Sequence, residues 1–112
     1  MIVEDLNTMP VGLSAKGKKA YKAIMNVITE TGALDTGGCK TFYSPAEWKA
    51  RKEEYCLGAE LIVVYDGGAV APFFNYDYEC YPLIDLMDKE LGKVGLYSEQ
   101  GTCWYSGIYL ND

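Results

Sequence analysis

Glu60-Leu61-Ile62-Val63-Val64-Tyr65-Asp66-Gly67-Gly68-Ala69-Val70-Ala71-Pro72-Phe73-Phe74 carries the strongest structural signal in the sequence. A β-branched apolar run meets an Asp-Gly turn signal and then a second apolar run, which predicts a hairpin over 60–74. With Asp66-Gly67 at the centre of a type I′ turn, Val64 would face Ala69 and Val63 would face Val70. Leu61 to Tyr65 is apolar at every position, so this strand should be central and covered on both faces. Pro72 has no N–H to give, so the second strand should be an edge or end there.

Upstream, Ser14 is placed to cap a helix over 15–31, with Tyr21, Ile24, Met25 and Ile28 on one face and Gly32 just past its end. Ser44-Pro45-Ala46-Glu47 combines an N-cap serine, a first-turn proline and a third-position glutamate, which predicts a capping box and a helix from Pro45 to about Tyr55. Downstream, Pro82 should sit in the first turn of a third helix over about 80–91, with Leu83, Ile84, Met87 and Leu91 turned inward. Thr102 to Leu110 alternates and predicts a last strand. The expected fold is one α+β domain over 1–112: a mostly antiparallel sheet, made of the hairpin and the C-terminal strand, packed with about three helices in the order α-β-α-β-β-α-β.

A chain of 112 residues with 49% hydrophobic and 23% charged residues is an ordinary globular composition. No apolar run approaches the ~20 residues of a membrane span, and Met-Ile-Val-Glu-Asp lacks a signal-peptide core. A cytoplasmic protein is expected. The net charge of −6 is uneven. Residues 1–52 hold eight basic and five acidic residues, or +3; residues 53–112 hold two and eleven, or −9. An acidic half suits a basic partner surface and argues against direct nucleic-acid binding. Lys16, Lys18, Lys19 and Lys22 crowd the start of the first helix and read as a solvated face.

No histidine is present, which removes every histidine-based triad or dyad. Four cysteines stand at 39, 56, 80 and 103 without a C-x-x-C pair, so no structural metal is expected. Asp77, Glu79, Asp85 and Asp88 lack the glycine and spacing of a calcium loop. Gly37-Gly38-Cys39-Lys40-Thr41 has cysteine where a phosphate-binding loop needs glycine before Lys-Thr, and a helix precedes it. Ala33-Leu34-Asp35-Thr36-Gly37 resembles the hydrophobic-Asp-Thr-Gly signature of retroviral-type aspartic proteases over five residues. That resemblance would imply a homodimer with one aspartate per chain, since two close carboxylates share the working proton. Those enzymes are nearly all-β, and Asp35 follows a predicted helix; the segment reads as a polar loop after a helix end.

Two functional expectations follow. The first is a non-catalytic protein-interaction module without a cofactor. Its contact residues would be Tyr76, Asp77, Tyr78, Glu79, Tyr81, Asp85, Trp104 and Tyr105, docking on a basic, nucleic-acid-binding protein surface. Tyrosine buries a large area at low entropy cost, and aromatics beside acids suit Arg or Lys through cation–π contact and carboxylate pairing. By composition this is analogous to phage or mobile-element inhibitors. The alternative is a small enzyme or ligand-binding domain using Asp35, Cys39 and Lys40 of the 32–40 loop. An exposed edge strand after Gly68 would also leave room for a homo-oligomer contact, which the sequence leaves open.

Overall fold

A computed structural model describes residues 7–34 and 38–111. The element order is α1 (Ala15–Thr31), β1 (Phe42–Tyr43), α2 (Pro45–Ala50), β2 (Leu61–Val64), two single 3₁₀ turns (Ala71–Phe73 and Tyr76–Tyr78), α3 (Tyr81–Gly92), β3 (Leu96–Thr102) and β4 (Tyr105–Leu110). The strands form one antiparallel sheet in the order β1-β2-β4-β3. The fold is α+β, with three helices and four strands among the described residues.

The helix boundaries follow from their caps. Ser14 Oγ accepts from Gly17 N at 3.0 Å, and Gly32 closes α1 in the left-handed region at φ 74°. Ser44 and Glu47 form the reciprocal capping box at the start of α2. That helix is shorter than its pattern suggested, because Lys52 turns left-handed at φ 64°. The seven-residue spacing of Trp48 and Tyr55 therefore reflects a different contact. Trp48 Nε1 donates to the Tyr55 carbonyl at 2.9 Å, tying the loop back over the helix.

The hairpin over 60–74 is corrected. Its first strand exists, but its second does not. Positive φ falls on Gly67 (78°) and Gly68 (70°), and not on Asp66 and Gly67 as a type I′ turn requires. The chain then enters αR at Val70 and a 3₁₀ turn at Ala71–Phe73. Val70, Ala71, Phe73 and Phe74 are all buried, a helical spacing and not the alternation of a strand. No strand is therefore formed over 69–74, and an oligomer contact there has no strand to use. Val63 pairs instead with Phe42 and Ser106, and Val64 with Tyr105. The molecule's hairpin is β3–β4, joined at Cys103-Trp104.

β2 is central and fully buried, as its uniform apolarity requires. Leu61, Val63 and Tyr65 join Phe42, Leu96 and Ile108 under α1 and α3, where Ile24, Ile28, Met87 and Leu91 complete the main core. Ile62 and Val64 face the other way, into a second core with Trp48, Ala59 and Tyr105. Two cores on one sheet fix the register of β2, since a one-residue slip would exchange its faces.

Candidate functional site

The acidic, tyrosine-rich segment forms a rim at the end of the β3–β4 hairpin. Asn75, 97% buried, anchors it. Its side chain accepts from Asp77 N at 2.8 Å, which winds the 3₁₀ turn Tyr76–Tyr78, and donates to the Cys103 carbonyl at 3.0 Å. Gln100 completes the clamp. It donates to Asn75 Oδ1 at 3.1 Å and accepts from Tyr76 N at 3.0 Å. Glu79 then takes a left-handed φ of 56° and turns the chain into α3.

This clamp presents Tyr76 and Tyr78, 48% and 46% exposed, with exposed Asp77 and Glu79, and α3 continues the surface with Tyr81, 53% exposed, and exposed Asp85. Three phenols this open leave about half of their surface unused by the fold. Farther along α3, burial, with the charge of Asp85 adding, pushes the Asp88 carboxyl above its usual range against the opposing Ser98 hydroxyl contact at 3.5 Å. Asp85 and Asp88 thus lie within electrostatic reach of each other on α3.

Trp104 and Tyr105 follow Cys103 at the same hairpin end but pack into the second core. Tyr105 is 98% buried against Trp48, with ring centroids 5.0 Å apart, and belongs to the second core. Trp104 is half-buried, packed edge-on to Tyr105 at 4.5 Å. The eight residues therefore divide into an open rim of six and a packed pair. Asn75 and Gln100, which hold the rim in place, were not singled out from sequence. Asn75 carried a usable signal, since asparagine before a short turn commonly accepts from the amide two residues on.

The loop residues divide too. Asp35 lies outside the described residues. Cys39 lines a cleft of about 380 Å³ with Tyr43, Arg51, Val64, Asp66 and Trp104, and its Sγ lies 3.9 Å from the Val64 carbonyl. Lys40 does not line that cleft. It pairs with Glu47 at 2.8 Å and lies 4.5 Å over the Tyr43 ring. Arg51 is the cation at the cleft, lying 5.0 Å over Tyr43 and 4.9 Å over Trp48. Arg51 and Asp66 come from a helix end and a turn far apart in sequence, and nothing in their local pattern links them.

A larger cavity of about 490 Å³ lies along α1, lined by Asn7, Thr8, Met9, Tyr21, Met25, Thr29 and Leu34, and holds none of the candidate site residues. Among the described residues no group of histidine, cysteine, aspartate or glutamate side chains is placed to hold a metal. No disulfide joins any two of the four cysteines. No helix among the described residues is long and apolar enough to cross a membrane. No protein-family model, no curated protein and no solved structure matches this chain.

Proposed function

We propose that this protein is a non-catalytic interaction module whose rim docks on an Arg- or Lys-rich protein surface and regulates or inhibits that partner. The observation that carries this is the rim itself: half-exposed Tyr76 and Tyr78 with Asp77 and Glu79 on and after a turn clamped by Asn75 and Gln100, continued by Tyr81 and Asp85 in the first turns of α3. Phenol faces receive cations, carboxylates pair with them, and the clamp lowers the ordering cost of binding. The acidic balance of residues 53–112 adds long-range attraction to a basic partner.

The test is affinity purification from host lysate at low and high salt with the wild type and two charge-reversed doubles, followed by titration of a retained protein. Asp77→Lys with Glu79→Lys reverses the rim. Glu53→Lys with Glu54→Lys makes the same change of net charge elsewhere. The rim double is expected to lose binding about a hundredfold or more, with the distant double nearer to wild type. Equal losses in both doubles would reduce the effect to net charge and reject the rim.

A small-ligand site is the second reading, supported by the cleft between Cys39, Arg51, Asp66 and Trp104. Its aromatic walls and few polar groups fit the general make-up of a binding pocket. Thiol labelling checks it. A functional Cys39 should react faster than Cys56 and Cys80, which are comparably shielded; equal rates remove the thiol from any role there.

A further inference from the structure

β3 is a seven-residue edge strand, and its hydrogen-bonding parity can be read from its neighbours. Asn111 N donates to the Gly95 carbonyl at 2.9 Å, in register with the β3–β4 pairing of Tyr97 with Tyr109 and Glu99 with Gly107. In an antiparallel ladder, hydrogen-bonded pairs alternate with non-bonded ones. Gly95, Tyr97 and Glu99 therefore bond to β4. The other side of β4 agrees, since Tyr65 N donates to the Trp104 carbonyl at 2.9 Å, in register with the pairing of Val63 with Ser106. The backbone N–H and C=O groups of Leu96, Ser98 and Gln100 consequently point away from the sheet. Among the described residues, no backbone group bonds to them on that side.

We infer that β3 is a strand-addition site: an extended Lys/Arg-rich segment of a partner protein pairs with the outward backbone of Leu96, Ser98 and Gln100, continuous with the tyrosine rim. This rests on the proposed basic partner and supplies its binding mode. Main-chain hydrogen bonds hold such a segment, while alternate side chains sample the two faces of the sheet. On the helix face, Ser98 lies beside Asp88, with Asp85 one turn earlier on α3. A basic residue opposite Ser98 meets those carboxylates. On the other face, exposed Glu99 follows Tyr97, whose ring is 40% exposed and stacks on Tyr109 at 5.7 Å. A basic residue opposite either one meets a carboxylate or an aromatic face. Both faces select cations, so the segment carries basic residues at adjacent positions. Gln100 takes part in both surfaces, its backbone at the edge and its side chain in the rim clamp.

A second copy of this chain is the other natural occupant of an edge strand, and charge disfavours it. Antiparallel pairing centred on Ser98 would bring Asp88 of both copies to the same place, and like charges across a strand pair are destabilising. Each copy also carries a net charge of −6.

The experiment is amide hydrogen exchange by NMR on the intact ¹⁵N-labelled chain at low salt. The probe is a short capped peptide in which paired Lys and Arg residues alternate with valine and threonine. Exchange at Leu96, Ser98 and Gln100 should slow about tenfold or more on saturation, with Tyr97 and Glu99 little changed. Ser98→Pro removes one outward N–H without touching the β4 ladder and should weaken the peptide about tenfold or more, whereas Ser98→Ala should retain it. The exchange result stands even where the proline variant fails to fold. Peptide-induced shifts confined to Tyr76–Asp85, with edge exchange unchanged, would overturn strand addition and leave the rim in place. Edge protection that grows with protein concentration in the absence of peptide would assign the edge to a second copy and overturn it too. No peptide binding at either place would overturn both.

Discussion

Gln100 donates its side-chain N–H to Asn75 Oδ1 at 3.1 Å, and this bond, with the one its Oε1 accepts from Tyr76 N, joins the tyrosine rim to the β3 edge strand. The buried asparagine holds four segments at once. It accepts from Asp77 N, donates to the Cys103 carbonyl, takes the Gln100 amide, and follows Phe74 out of the main core. Asn75→Ala removes every side-chain contact and leaves polar groups poorly satisfied, at a cost of about 1–3 kcal/mol. Chemical denaturation should show that loss. Amide exchange should speed up at Asp77 to Glu79 before the rest of the chain. Uniformly faster exchange across the sheet would mean that Asn75 supports the fold as a whole and does not specifically position the rim.

Gly17 lies in the first turn of α1, where glycine ordinarily weakens a helix by about 1 kcal/mol relative to alanine. Here a Cβ would stand 2.6 Å from the Glu60 carbonyl oxygen and 3.3 Å from the Leu13 side chain. Helix α1 can approach the start of β2 this closely only without a side chain. Gly17→Ala is therefore expected to destabilise by about 1–3 kcal/mol in spite of its better propensity. A raised midpoint in urea would show that the helix shifts freely and that propensity governs the site.

The same position shows where the sequence could and could not be read. Local chemistry was legible: Ser14, Gly32 and the Ser44–Glu47 box mark helix ends through bonds spanning only a few residues. Leu61–Val64 was legible as a central strand because it is apolar on both faces. Its partners were not, since Phe42 and Ser106 lie tens of residues away and alternation carries no address. Val70, Ala71, Phe73 and Phe74 looked like a strand by composition, although their spacing and Pro72 already favoured a turn of helix. Strand β3 was missed because an edge strand with one open face can be polar, and Ser98-Glu99-Gln100 is. The rim residues were legible by type, while the separation of Trp104 and Tyr105 from them depends on Trp48, which only the fold brings to Tyr105.

Burial opposes the ionised form of Glu47, but hydrogen bonds from Lys40 and the Ser44 N–H, with the Lys40 charge, outweigh it and hold the carboxyl below its usual value. A depressed folded value contributes stability that is present above the unfolded value of about 4.3. That contribution disappears as pH falls through the lower folded value. Stability measured against pH for wild type and Glu47→Gln should therefore differ at neutral pH and converge in acid. Ser44→Ala removes the other half of the box and should cost about 1 kcal/mol at neutral pH. A wild type–Glu47→Gln difference that stays constant down to strongly acidic pH would place the effect of Glu47 in packing and not in its charge.

Alkaline pH tests the main core. The Tyr65 hydroxyl lies 2.7 Å from Ser106 Oγ between β2 and β4, with both residues fully buried. Burial pushes the Tyr65 phenol far above its usual range, more than the Ser106 hydrogen bond lowers it. A raised folded value leaves stability intact below the unfolded value of about 10, and stability falls as pH rises from there towards the folded value. Each such tyrosine steepens the loss by up to about 1.4 kcal/mol per pH unit, because the unfolded chain gives up a proton that the folded one keeps. Tyr21, Tyr105 and Tyr109 are shifted the same way by burial, so alkaline unfolding should be steep. Tyr65→Phe is expected to cost about 1–3 kcal/mol at neutral pH, because Ser106 loses its partner. Above pH ~10 its stability should decline less steeply than that of the wild type, so the two curves approach each other. Parallel curves above that pH would show that the Tyr65 phenol ionises equally well in the folded chain.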